Sequence, residues 1–216
     1  NKPSSLVVHP GAGNTNGTLL NALIFHFPIL KSIPRAGLVH RLDKDTSGLI
    51  LIAKTIESYQ NLVLQLQHRS VQRIYYAVTW GRLMCEKKLI QAIARNRNDR
   101  KRFSVSNSSF AKYAETHFIP MAQGNIENYT VSLIECKLKT GRTHQIRVHL
   151  EHLKLPIIGD QTYKKRAPFF QGKSIERQAL HARCLSFSHP ETNIKVQFHS
   201  ELPDDFNNLL LIAGIK

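Results

Sequence analysis

Residues 37–55, GLVHRLDKDTSGLILIAKT, set two apolar runs, 37–39 and 49–53, around a segment holding His40, Arg41, Asp43, Lys44, Asp45, Thr46 and Ser47 and closing at Gly48. The apolar runs predict two buried strands joined by a tight connection. So many charged and hydroxyl groups between two buried strands are unfavourable unless they are solvated or used. The connection is therefore either a salt-bridged hairpin turn or a site of chemistry.

Charge narrows the partner. Thirty Lys and Arg face 15 Asp and Glu, a formal net charge of +15 over 216 residues, so a polyanion is the natural ligand: RNA, DNA or an anionic membrane surface. No apolar run approaches the roughly 18 to 20 residues of a bilayer span, and no basic, apolar leader opens the chain, so a soluble protein is expected. Cys85, Cys136 and Cys184 are odd in number and widely spaced, with no CxxC pair. Neither a disulfide framework nor a zinc ribbon is expected, and a reducing cytoplasm is the default location. The chain opens on Asn1 rather than Met, so an upstream segment is compatible with it.

The remaining patterns lack a regular strand–helix alternation and predict an α+β fold with a mostly antiparallel sheet. Residues 6–9 read as a short strand. Thr15 or Asn16 is a candidate cap for a helix carrying Leu19, Leu20, Leu23, Ile24 and Phe27 until Pro28 stops it. Residues 55–67 form a second helix, with a core stripe of Tyr59, Leu62, Val63 and Leu66. Residues 71–81, VQRIYYAVTWG, alternate as a strand: Ile74, Tyr76, Val78 and Trp80 on one face, Arg73, Tyr75, Ala77 and Thr79 on the more polar other. The basic run RNRNDRKR at 95–102 suits a solvated loop or phosphate contacts. Residues 112–119 and 129–139 read as a hairpin turning at Gln123, Gly124 and Asn125. Short strands are expected within 156–163, 177–189 and 194–199. A last helix, preceded by Pro203 or capped by Asp204, should bury Phe206, Leu209, Leu210 and Ile212. With no repeat or linker, one domain over residues 1–216 is the simplest organisation.

TGRTHQIRVHLEHLKL, residues 140–155, predicts a helix capped by Thr143, with Ile146, Leu150 and Leu153 as its stripe. Arg147 then lies in its first turn, where the helix dipole disfavours a cation by a few tenths to about 1 kcal/mol. A nearby anion would resolve this. The spacing of His144, His149 and His152 does not match HExxH, so zinc is not expected. DTSG at 45–48 is similar to the aspartic-protease turn, but those enzymes need two such carboxylates and one copy is present.

HRLDKDTSG with its flanks is similar to the signature of the RluA-type pseudouridine synthases. NKPSSLVVHPGAGNTNGTLLNAL, VQRIYYAVTWG, LKTGRTHQIRVHL, LPIIGDQTY and RQALHA resemble further family blocks in the expected order. The resemblance implies the family's α+β catalytic fold and isomerisation of uridine to pseudouridine in RNA. That reaction involves no redox change, so it implies no cofactor and no metal. Matched by position, Asp43 is the implied catalytic carboxylate, Tyr75 the aromatic of the K-x-Y-x-A block and Arg147 the cation that pairs with and orients Asp43. Arg41 resembles the residue that enters the duplex when the target base is flipped out. His40, Thr46, Arg73, Arg142, His144 and Gln145 are implied pocket or backbone contacts. Large-subunit (23S) ribosomal RNA is the implied partner of a cytoplasmic monomer, tRNA is the alternative substrate, and a silent RNA-binding or ribosome-assembly module is the competing class. Two departures stand out: Arg73 replaces the usual Lys, and Lys164 follows GDQTY where the family generally has Gly. The S4-type RNA-binding domain of many members has no counterpart within residues 1–216.

Overall fold

In the computed structural model, which describes residues 1–11, 13–164 and 175–215, the alternating stretch at 71–81 becomes the central strand of a seven-stranded sheet. In chain order the strands are β1 (Ser47–Gly48), β2 (Gln72–Trp80), β3 (Lys87–Ile90), β4 (Ile93–Arg95), β5 (Phe103–Val105), β6 (Glu115–Ile126), β7 (Tyr129–Leu138), β8 (Leu180–Ser188) and β9 (Lys195–His199). The helices are α1 (Leu19–His26), α2 (Ile56–Gln67), α3 (Gln145–His152) and α4 (Asp204–Ile212). The sheet runs β1-β8-β2-β7-β6-β3, β9 also pairs with β8, and β4 with β5 forms a separate ribbon. Only β1 with β8 is parallel, so the architecture is the mixed, mostly antiparallel α+β arrangement expected. Among the described residues no helix is long and apolar enough to cross a membrane.

The opening stretch folds less regularly than its apolar runs predict. Residues 37–39 and 49–53 are not strands. They meet through an isolated Leu38–Ile52 bridge and an Ala53 N–H donated to the Gly37 carbonyl at 2.9 Å. The reason lies in the sheet edge: β1 pairs with His181 and Ala182 of β8, and β9 takes the continuation of that edge from Cys184 to Ser188. The chain cannot follow β8 past Gly48, and it leaves the sheet.

Other local differences have similar causes. Residues 6–9 form no strand, because the carbonyls of Val7 and Val8 accept from Leu19 and Leu20 at the start of α1. Thr18 caps α1, rather than Thr15 or Asn16, in a reciprocal capping box with Asn21. Within the stretch expected to turn, Gly124 stays in β6 because α4 ends against it: a Cβ there would stand 2.0 Å from the Ala213 carbonyl oxygen. The hairpin turns instead after Ile126, with Glu127 at φ 51°. α3 starts at Gln145 behind a left-handed His144, φ 57°, with no side-chain cap from Thr143. Residues 156–163 hold only a bridge from Ile157 to Thr79, and Ile212 of α4 points outward, 51% exposed.

The more polar face of β2 is buried throughout, whereas the other is buried only at Val78 and Trp80. Arg73, Tyr75, Ala77 and Thr79 are at most 8% exposed. Tyr75 and Ala77 join Leu38, Leu42, Ile146 and Leu180 in the main core, so the sheet, α3 and the polar connection meet over this face. α2 packs Leu62 into a second cluster with Ala53, Val71, Leu185 and Phe187. β1 depends on Gly48, whose φ of +108° and 2.3 Å clearance from a would-be Cβ to the Ala182 oxygen exclude any side chain. Gly48→Ala is expected to lower stability by about 1–3 kcal/mol, measured by denaturant unfolding, with an unchanged midpoint contradicting the constraint.

Candidate active site

Asp43 is held from both sides. Leu42 before it is buried in the core, and Lys2, itself 2% exposed, reaches under the connection to donate to the carbonyls of Pro3, Leu6 and Lys44 at 2.7, 3.0 and 2.9 Å. Lys2 and Gly48 also exchange backbone hydrogen bonds at 2.8 and 2.9 Å. Arg177, paired through two bonds with Asp205, donates to the Asp45 carbonyl at 3.2 Å.

Arg147, third residue of α3, supplies the link across the fold. Its Nη1 donates to Asp43 Oδ2 at 3.1 Å, while Nε and Nη2 form a fork onto Asp160 at 2.7 and 2.9 Å. Both carboxylates answer the cation left unmatched in the first helical turn. Asp160 also accepts from the amides of Thr162 and Tyr163 at 2.8 and 3.0 Å. Burial alone would raise its pKa, but the bonds and charge of Arg147 and these two amides hold it below the ordinary carboxylate value. Burial disfavours the charge on Arg147, and Asp160 and Asp43 more than restore it. The Tyr163 ring lies 5.0 Å from the guanidinium carbon.

All ten residues singled out from the sequence line one open cleft of about 740 Å³: His40, Arg41, Asp43, Thr46, Arg73, Tyr75, Arg142, His144, Gln145 and Arg147. They offer different things to a ligand. Tyr75 is 6% exposed, and burial pushes its phenol up to about 12, against the pull of Arg73, so it is un-ionised at neutral pH. His40 accepts from the Leu51 amide through Nε2 at 3.0 Å. Burial and the Arg73 charge bring it down to about 3 against a hydrogen bond to the Arg41 backbone, so it is neutral with its proton on Nδ1. His144 Nε2 is 4.0 Å from Asp43, its Nδ1 is 2.9 Å from the Tyr163 hydroxyl, and burial lowers its pKa. Arg41 and Arg142 are exposed on the cleft wall. Thr46 and Gln145 are engaged internally: Thr46 accepts from Gln178, and the Gln145 amide is spent on Thr140, Arg142, Glu115 and Thr116. Among the described residues no His, Cys, Asp or Glu group could hold a metal ion.

Asp160, Tyr163 and Lys2 were not singled out from the sequence. The available signal for Asp160 was a lone acid after the apolar LPIIG. For Lys2 there was none, because nothing local marks a lysine that will be buried by carbonyls.

The arrangement sets an arginine-oriented carboxylate beside a tyrosine ring in a cleft also lined by Arg35, Arg41, Arg69, Lys139 and Arg142, a cationic wall suited to a polyanion. The family model described as RNA pseudouridylate synthase matches residues 1–152. The chain belongs to that family. It is 46% identical over 219 residues to "Ribosomal large subunit pseudouridine synthase D" of Haemophilus influenzae, covering 97% of this chain and 66% of that protein. It is 46% identical over 225 residues to the protein of the same name from Neisseria meningitidis, covering 100% of this chain and 58% of the relative. The chain thus spans 58–66% of the length of these curated relatives, less than two thirds. Among solved structures, human RNA Pseudouridylate Synthase Domain Containing 1 superposes with TM-score 0.70 at 26% identity, covering 97% of this chain and 82% of that one. Human RNA Pseudouridylate Synthase Domain Containing 4 shares the fold, with TM-score 0.75, 24% identity, and 100% and 88% coverage.

Because its pKa is depressed in the fold, Asp160 contributes stability that is present above the unfolded carboxylate value of about 3.9 and lost as pH falls through the lower folded value. Arg147→Met leaves that carboxylate buried without its cation. At neutral pH the variant is expected to lose about 3–5 kcal/mol, and its acid unfolding should begin at higher pH than in the wild type. Thermal unfolding as a function of pH measures both, and an unmoved acid limb would contradict the pairing.

Proposed function

We propose that residues 1–216 form the catalytic domain of an RNA pseudouridine synthase that isomerises uridines in large-subunit ribosomal RNA, with Asp43 as the catalytic carboxylate. The observation that carries this reading is the Asp43–Arg147 pair beside Tyr75 in a cationic cleft, in a chain of this family. The names of the curated relatives support the substrate, and the net charge of +15 suits a polyanion. A ribosomal RNA substrate also points to the cytoplasm as the place of action.

In this reading the target nucleotide leaves the helix, because neither C1′ nor C5 can be reached within a stack. Arg41, exposed at the rim, fills the gap it leaves. The uracil stacks on Tyr75. Asp43, oriented by Arg147, acts on the nucleoside either at C1′ as the glycosidic bond breaks or at C6 of the ring. The base turns, C5 bonds to C1′, and the C5 proton leaves. In this reading the Tyr75 hydroxyl takes part in that last step, as a neutral phenol hydrogen-bonding the departing proton's acceptor or passing the proton on. Substrate and product are isomers, so no external oxidant or energy source is required.

A large-subunit rRNA transcript labelled with tritium at C5 of uridine tests this. The wild type should release tritium, and Asp43→Asn should slow release by on the order of 10⁴-fold or more while still binding RNA. Binding without release by the wild type would identify an RNA-binding module instead, and release from a tRNA transcript alone would move the substrate. Tyr75→Phe keeps the ring and loses the hydroxyl. It is expected to retain RNA affinity and to show a larger tritium isotope effect as C5 deprotonation becomes limiting, whereas an unchanged isotope effect would remove the hydroxyl from that step.

A further inference from the structure

Among the described residues three arginines are buried, and two of them have their acids: Arg147 bonds Asp43 and Asp160, and Arg177 bonds Asp205. The third, Arg73, is 8% exposed yet makes no hydrogen bond or ion pair among the described residues, and its Nε is enclosed without a partner. It is built in rather than left over. Arg73 projects from the same face of β2 as Tyr75, about 7 Å along the strand. It lines the cleft, and its guanidinium occupies space that Gly141 leaves open, since a Cβ there would lie 2.7 Å from Nη1. The neutral His40 ring, turned toward the backbone of Arg41, lies within the field of the same guanidinium. A buried cation without an anion weakens the fold, and such a local violation is expected where a ligand supplies the missing charge.

We propose that Arg73 stabilises the negative charge that develops on the uracil ring during the isomerisation. The inference rests on the pseudouridine synthase reading and deepens it. If the C1′–N1 bond breaks first, its electron pair stays on the base and is shared among N1, O2 and O4, while the Asp43 carboxylate meets C1′. If Asp43 adds to C6 first, the C5–C6 π pair moves into C4 and O4. By either route an anion forms where Tyr75 stacks the ring. On the first route the pair returns in the new C5–C1′ bond as the carboxylate leaves C1′; on the second, C5 displaces N1 from C1′ and the N1 pair then expels the carboxylate from C6. On both, the C5 proton goes to a base and N1 takes up a proton, so charge and atoms balance. Arg73 therefore acts on whichever route Asp43 takes, as a fixed donor that needs no reorganisation when the charge appears.

The test compares wild type, Arg73→Met and Arg73→Lys in single turnovers on large-subunit rRNA transcripts made with uridine or with 5-fluorouridine, following loss of the N-glycosidic nucleoside after nuclease digestion. Fluorine stabilises the uracil anion by itself and so substitutes in part for the cation. Arg73→Met is expected to lose about 10²–10³-fold in rate with little change in RNA affinity. Arg73→Lys should recover part of that loss, and the loss should be smaller on the fluorinated transcript. Arg73→Met should also melt at a higher temperature than the wild type, since an uncompensated buried charge has been removed, whereas a structural role would lower stability and activity together. A wild-type rate in Arg73→Met, an equal loss on both transcripts, or a lowered melting temperature would overturn the proposal. A wild type inactive on the uridine transcript would instead overturn the function on which it rests.

Discussion

One guanidinium shared by two carboxylates is the interaction on which the rest of the structure depends. Asp160 takes the Nε and Nη2 edge of Arg147, is itself fixed by two backbone amides, and carries a fully buried side chain. That leaves Nη1 as the one arm directed at Asp43. The fork fixes direction as well as charge, which a lysine could not do. Asp43 is thereby held by a cation whose own orientation is decided elsewhere, beneath the cleft rather than inside it.

The topology exists to close that contact. Asp43 and Arg147 are 104 residues apart in sequence. They meet because the parallel β1–β8 pair anchors the polar connection at one side of β2, while α3 follows β7 on the other side. The entropy of closing so long a loop grows only slowly with its length, and the ladder and core supply the compensation. Irregular chain at residues 37–53 then has a physical function. A strand there would turn alternate side chains of the connection into the sheet, whereas the bridged loop lets Asp43, His40 and Arg41 line the cleft while Leu38 and Leu42 enter the core.

Much of this could be read from residue types. The alternation in VQRIYYAVTWG gave β2, the misplaced cation of Arg147 called for an anion, and the composition pointed to a polyanion. The HRLD block and its companions resembled a family that the family model then matched. What could not be read were properties of the assembled sheet. β9 takes the edge that would have extended β1, α4 lands on Gly124, and coverage by the core buries the polar face of β2, leaving Arg73 without an acid. Asp160 escaped notice for a related reason: a single carboxylate in an apolar stretch reveals its role only when its cation is seen opposite it.

The central claim is that Asp160, which does not line the cleft, sets the activity of Asp43 through Arg147. Steady-state turnover of Asp160→Asn on rRNA, at a temperature where the variant is folded, tests it most directly. The expected result is a fall of about 10²-fold in kcat with the KM for RNA unchanged. A variant with full kcat would contradict the account.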